Sequence, residues 1–318
     1  MTFALTIAVP TFKRPALLEE TLRSIAALEF VATVEVIVVD NDPEGDDTRA
    51  AELIAHVITG PYRYYRNEEN VGMFRNWNQC LLQARGNYIT ILHDDDLLSA
   101  QFSTAVDQLL THGRLEHDIV GFQINLLEQR PDRLHDQAVR ATPAAPPEDM
   151  SMRLFPVSDL FFSNPFCGTL AVIFHREKAI ELGGFRAEWY PIADYEFWCR
   201  WAARYGAIPI ANWRVAQYRI GQNESMKLET RAAFVTKSRE LRQHLIVSSA
   251  VPGVFATLVG VVEMAQRSQI YRDWRAADEP HPSAIKNAAM SICGKALRVA
   301  AKATRMLGRD RRHTVEPT

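Results

Sequence analysis

The chain has 318 residues, 47% of them hydrophobic and 23% charged, and a net charge of −2. That length buries a full core in one large or two small domains, and the composition is that of an ordinary globular protein. The near-neutral charge excludes a bulk nucleic-acid binder, whose domain would be strongly basic. Four scattered cysteines without a Cys-x-x-Cys pair exclude a zinc knuckle or a disulfide framework and suit a reducing cytosol.

The elements follow in chain order. The amino terminus enters a strand pattern at once and does not read as a signal peptide. Ala4 to Val9 is a short apolar run expected of a parallel strand buried on both faces, and it stops at Pro10-Thr11-Phe12-Lys13-Arg14-Pro15. Pro15 suits a first helical turn, and Leu18, Leu22 and Ile25 recur at helical spacing. Val34 to Val39 reads as a second strand, ending in Asp40-Asn41-Asp42-Pro43. Asp47 to Val57 reads as a helix and Tyr62 to Arg66 as a third strand. A helix then opens at Val71-Gly72 with Met73, Trp77, Cys80, Leu81 and Ala84 on one stripe. Gly86 is expected to end it, and Tyr88 to Leu92 is a strand that runs into Asp94, Asp95 and Asp96.

This β-α-β-α-β-α-β order predicts a mostly parallel sheet with helices on both faces, and ligands bind such sheets outside the carboxyl ends of the strands. Three strand ends carry polar groups there: Pro10-Thr11, Asp40 with Asp42, and the acidic triplet. Adjacent carboxylates repel, and a hard divalent cation relieves that. Neither a Gly-x-Gly-x-x-Gly cradle nor a P-loop is present. Each residue also has a plainer use: Asp40-Asn41-Asp42-Pro43 is good turn chemistry, Thr11 could bond a loop, and Arg75 could pair with Glu68 or Glu69.

Farther on, Asp118 to Leu127 reads as a strand, and the proline-rich stretch to Pro147 as a long excursion. Ser151 to Phe162 is helical in part, Leu170 to Phe174 a strand, and Lys178 to Leu182 ends at Gly183-Gly184-Phe185. Asp194 precedes an apolar helical pattern, which is a normal capping position. Ala207 to Ile210 and Val215 to Ile220 read as closing strands. Leu245 to Val262 carries no charge, but Pro252 would break it, so two packed helices are expected in place of a membrane span. The expected domains are 1–225, 226–275 and a linker with a basic tail, 276–318. That tail reads either as a solvated helix or as a contact with anionic lipid headgroups.

The first hundred residues resemble inverting family 2 glycosyltransferases, which have the Rossmann-like GT-A fold. The matching pieces are Pro10-Thr11-Phe12, the strand ending at Asp40, Asn70-Val71-Gly72 with Arg75-Asn76, and Gly86-Asn87-Tyr88 leading to Asp94-Asp95-Asp96. The resemblance implies a nucleoside-diphosphate-sugar site of Pro10, Thr11, Arg14, Asp40, Asp42, Arg75 and Asp94, with Asp95 on Mn²⁺ or Mg²⁺. A Gly-Gly-Phe block followed by an acid that opens a helix implies Asp194 as general base, with Trp189 and Tyr190 on the acceptor side. His93, Ala193 and Gly221 depart from the family pattern, which usually has an acid, Glu and His there. His93 is read as structural, and Arg219 as a stand-in for the missing His. The implied protein is a cytosolic, metal-assisted transferase acting on a glycan or lipid-linked acceptor, resting on the inner membrane face if the tail binds lipid. Two alternatives are a sugar-phosphate nucleotidyltransferase and an inactive nucleotide-sugar or glycan binder.

Overall fold

The computed structural model describes residues 3–45, 47–110, 117–130, 150–221 and 227–274, so the basic tail lies outside the described residues. The chain divides into two compact units, Met1–Phe155 with Phe166–Asn223, and Pro156–Pro165 with Glu224–Thr318.

In the first unit the elements are β1 (Phe3–Thr11), α1 (Pro15–Ala26), β2 (Val34–Asp40), α2 (Asp47–Val57), β3 (Tyr62–Arg66), α3 (Met73–Gln83) and β4 (Gly86–Ile91). They continue with β5 (Leu97–Leu98), α4 (Ala100–Leu110), β6 (Ile119–Glu128), β7 (Met152–Phe155), β8 (Val172–His175), α5 (Arg176–Glu181), α6 (Ala193–Tyr205) and β9 (Ile208–Ile220). Among the described residues one sheet runs β3-β2-β1-β4-β8-β6-β9-β5, with β7 also paired to β9. The β3-β2-β1-β4 block is wholly parallel, and antiparallel β8 joins it to the parallel pair of β6 and β9. The chain reverses direction across the sheet between β1 and β4, which makes a switch point where a crevice opens. Thr11 is paired with Asp40 in register, so the ends of β2, β1 and β4 lie side by side.

Alternation along β1 sends Leu5, Ile7 and Val9 into one core with Leu18, Leu22, Ile54 and Val57 of α1 and α2. α3 packs on β1 and β2 through Phe74, Trp77, Cys80 and Leu81. A second core is aromatic: Phe174, Phe185, Phe197, Trp198 and Trp201 are all buried and meet ring to ring. Each such ring contributes roughly 1.5–3 kcal/mol by burial.

Three local expectations are corrected. Gly86 does not end α3; it opens β4, where a Cβ would come within 2.5 Å of the Thr6 amide nitrogen, so a close backbone approach is what requires glycine. Met73 leaves the apolar stripe and is 39% exposed, its place taken by Phe74. The two closing strands are one, β9, with register irregularities against β6 around Gln123. Residues 151–162 are helical in part, as expected: a single turn, Val157–Leu160, follows β7.

The second unit holds that turn with α7 (Leu228–Val247) and α8 (Val259–Trp274). α7 ends before Pro252, as a proline break requires, and a 3₁₀ segment, Gly253–Leu258, follows. Arg242, almost wholly buried, donates to the Phe161 carbonyl at 2.9 Å, and Phe161 packs on Phe255. Among the described residues no helix is long and apolar enough to cross a membrane.

Candidate functional site

β4 delivers the acidic loop into the crevice, and the three carboxylates take three different partners. Asp94 accepts the Thr11 hydroxyl at 2.8 Å, which ties it to the end of β1. Asp95 faces Arg14, whose guanidinium lies 3.1 Å from its Oδ2. Asp96 is fully buried and forms the floor: its Oδ1 accepts the Arg219 amide at 3.0 Å, and its carbonyl accepts the Thr21 hydroxyl at 2.9 Å. Arg219 also donates from Nε to the Asp95 carbonyl at 2.8 Å and pairs with Glu20 at 2.8 Å. It therefore braces the loop from beneath.

Burial pushes the Asp94 carboxyl up to about 6, against the Thr11 hydrogen bond that favours its charged form. Burial likewise raises Asp96. His93 stands against Trp77 in a stack at 4.9 Å, and a Cβ on Gly168, whose φ is +65°, would press to 2.8 Å from its ring. The Thr169 hydroxyl donates to the Ile91 carbonyl at 3.0 Å, so its lone pairs take the His93 Nε2 proton at 3.1 Å. Nδ1 then faces Asp96 Oδ2 at 3.5 Å. Burial opposes the histidine charge, but hydrogen bonding to Asp96 and the three nearby carboxylates outweigh it and raise its pKa.

This donor set fits a divalent cation. His93, Asp95 and Asp96 can each offer one ligand atom, and those atoms lie within 4.8 Å of one another. Asp96 Oδ2 is buried, and the approach of His93 Nδ1 to it is long, at 3.5 Å. Buried carboxylates of this kind suit Mg²⁺ or Mn²⁺.

On the other side of Thr11, Asp40 accepts the Asp42 amide at 2.9 Å and the Tyr64 hydroxyl at 3.0 Å, and burial raises its pKa. Asp42 accepts the Glu44 amide at 3.2 Å and pairs with Lys13 at 3.6 Å. Both acids therefore perform the turn chemistry expected of them. Pro10 lies buried within β1. Arg75 is exposed and pairs with neither Glu68 nor Glu69. Sequence reasoning named Asn41, Asn70 and Asn76 without their partners, and it missed Asn67, which joins them. Asn41 accepts from Asn67 at 2.9 Å and from the Val71 amide at 3.0 Å, and donates to Asn70 at 2.7 Å. Asn67 also reaches Asn76 at 2.8 Å. This network fixes the turn that leads into Arg75.

Asp194 is not a cap. The capping residue of α6 is Ile192, and Asp194 sits in the first turn, buried. Burial pushes the half-buried Cys167 thiol up to about 12, and the charges of Asp96 and Asp194 both act in the same direction. The charges of the acidic loop and of the first turn of α6 are thus both felt at this side chain. The loop carrying Cys167 bridges them by hydrogen bonds: Thr169 holds His93, and the Gly168 carbonyl accepts Trp198 Nε1 at 3.2 Å. The only sequence signal for this loop is a run of small residues between two apolar stretches. Glu196 is committed elsewhere. It is buried and held by Arg200 at 2.6 Å and Arg186 at 3.4 Å. Trp189 is partly buried, while Tyr190 is 42% exposed and meets Phe74 at 6.2 Å.

The fold, an α/β sheet with a carboxylate-lined crevice at its switch point, is GT-A. Residues 6–178, more than half of the chain, match glycosyl transferase family 2, and the chain belongs to that family. An uncharacterised protein of Mycobacterium tuberculosis is 31% identical over 207 residues, which are 62% of this chain and 61% of that one. The GalNAc(5)-diNAcBac-PP-undecaprenol beta-1,3-glucosyltransferase of Campylobacter jejuni is 37% identical over 106 residues, 33% of this chain and 34% of that one. The chain therefore matches less than two thirds of the length of either relative. The crystal structure of S. aureus TarS 1–349 in complex with UDP-GlcNAc superposes with a TM-score of 0.57 at 14% identity, over 85% of this chain and 73% of that one, which shows a shared fold.

Proposed function

We propose that the chain is an inverting glycosyltransferase that moves a sugar from a nucleoside-diphosphate donor to a hydroxyl of a glycan or lipid-linked acceptor. The observation that carries this reading is the row of carboxylates at the adjacent ends of β2, β1 and β4, with Asp94 tied to Thr11 and Asp95 facing Arg14, in a chain of glycosyl transferase family 2. The UDP-GlcNAc complex of TarS supports the donor class, and the undecaprenol-linked substrate in the Campylobacter name supports the acceptor class.

Asp95, with Asp96 and His93 beside it, would hold Mn²⁺ or Mg²⁺. Such an ion, when bound, supplies charge neutralisation to a departing diphosphate. The remaining work falls to the chain itself. Thr11 aims Asp94, while Asp40, Asp42 and Arg75 border the nucleoside side. Trp189 and Tyr190 offer the acceptor a flat apolar surface. Asp194 takes the proton of the acceptor hydroxyl as that oxygen bonds to the anomeric carbon, and the bond to phosphate breaks with its electrons leaving on the nucleoside diphosphate. The amino terminus of α6 favours the carboxylate form that this requires. One displacement inverts the configuration, without a glycosyl–enzyme intermediate.

A thermal-shift screen of nucleotide sugars with Mn²⁺, followed by product analysis, tests the reading. At least one donor is expected to raise Tm and to be transferred with inversion. Retained configuration would remove the single displacement, and a donor that binds but never turns over would make the chain a binding protein. The reading also includes a cytoplasmic location with peripheral contact between residues 276–318 and anionic lipid, each Lys or Arg there contributing about 1 kcal/mol. The full chain is expected to sediment with anionic vesicles at low salt, and truncation at Pro280 or added salt to release it. A full chain that ignores such vesicles at low salt removes this part.

A further inference from the structure

Arg14 stands where a cation belongs. Its guanidinium lies 3.1 Å from Asp95 Oδ2 and 3.7 Å from Asp94 Oδ1, so one positive charge spans two of the three carboxylates. The two arginines of the loop are held very differently. Arg219 has a 7% exposed side chain pinned between the Asp95 carbonyl and Glu20. Arg14 has a 37% exposed side chain, and its backbone is the capping position of α1, directly after Lys13 with a φ of +56°. The Arg219 guanidinium is part of the frame, whereas that of Arg14 has open space to move into.

We propose that Arg14 is a built-in counter-ion. Without nucleotide it neutralises the acidic loop and opposes the binding of a bare divalent cation to Asp95. When cation and diphosphate arrive together it turns to the phosphates. The proposal rests on the reading of Asp95 as a cation ligand. Its physical basis is that two positive charges within about 4 Å, sharing one carboxylate in a partly buried site, repel strongly. A divalent ion must therefore displace Arg14, and alone it gives the guanidinium no new anion. A diphosphate does, because its oxygens match the planar fork of arginine. Cation and nucleotide then bind with positive coupling, each relieving what the other would meet alone.

Mn²⁺ titrations followed by electron paramagnetic resonance on the full chain provide the test, with wild type, Arg14→Met, Arg14→Lys and Arg14→Met/Asp95→Asn compared. With Mn²⁺ alone, Arg14→Met is expected to bind at least about tenfold more tightly than wild type, since a repelling charge has gone. Arg14→Lys keeps the charge and should behave as wild type, and Asp95→Asn in the Met background should abolish the gain. With UDP, GDP or dTDP added, the order reverses, and Arg14→Met binds the nucleotide several-fold more weakly at saturating Mn²⁺. If Arg14→Met binds Mn²⁺ no more tightly than wild type, while nucleotide still promotes Mn²⁺ binding to wild type, the counter-ion role is overturned and the proposed function stands. If no protein binds Mn²⁺ with or without any nucleotide, both are overturned. Thermal melts of each variant keep misfolding apart from these outcomes.

Discussion

Asp194→Asn is expected to keep its melting temperature and donor affinity while losing at least about a hundredfold in transfer rate. A general base needs a carboxylate, and proton removal of this kind is typically worth 10²- to 10⁴-fold, on the order of 3–5 kcal/mol. The structural cost of the change is small by comparison. Ile192 holds the capping position of α6, Asn keeps the shape and an acceptor oxygen, and losing a negative charge in the first turn costs about 0.3–1 kcal/mol. A neighbouring acid cannot step in either. Glu196 is the nearest in sequence, and it is locked by Arg200 and Arg186. The rate must be measured with the true acceptor, because slow donor hydrolysis hides a lost base. Near-normal transfer by the Asn variant would mean that the proton leaves by another route.

The second large effect is expected at Asp95. Asp95→Ala should abolish metal-dependent nucleotide binding and leave the fold intact, because its partner Arg14 is 37% exposed and can turn to water once the carboxylate is gone. The adjacent acid provides the contrast. Asp96 is fully buried and accepts the Arg219 amide, so its removal damages the floor of the site as well as its charge. Calorimetry with a nucleoside diphosphate and Mn²⁺ separates the two, and unchanged affinity in Asp95→Ala would sink the assignment.

What the sequence made legible was whatever depends on local pattern. Strand β1 with Thr11 at its end, β2 with Asp40 and β4 with the acidic triplet were readable because apolar runs broke off at polar residues. The parallel order that places these ends side by side followed from the alternation of strands and helices. What stayed hidden depends on partners far apart in the chain. His93 is held by Trp77, Gly168 and Thr169, and Arg219 comes to the acidic loop from β9. Asp194 looked like a cap because an acid before an apolar helix usually is one; the helix begins one residue earlier, at Ala193. The pairing of Glu196 with Arg186 and Arg200 likewise forms only once the helix is wound and packed.

The divided second unit also has a consequence for biosynthesis. Its first piece, Pro156–Pro165, precedes the rest of the first unit, and its second begins only at Glu224. Phe161 therefore leaves the ribosome well ahead of Arg242 and Phe255, the residues that later bond and cover it. At roughly 5–20 residues per second that interval lasts several seconds. During it Phe161, fully buried in the finished protein, is without these partners, so this short segment is a place for a chaperone to protect in the nascent chain.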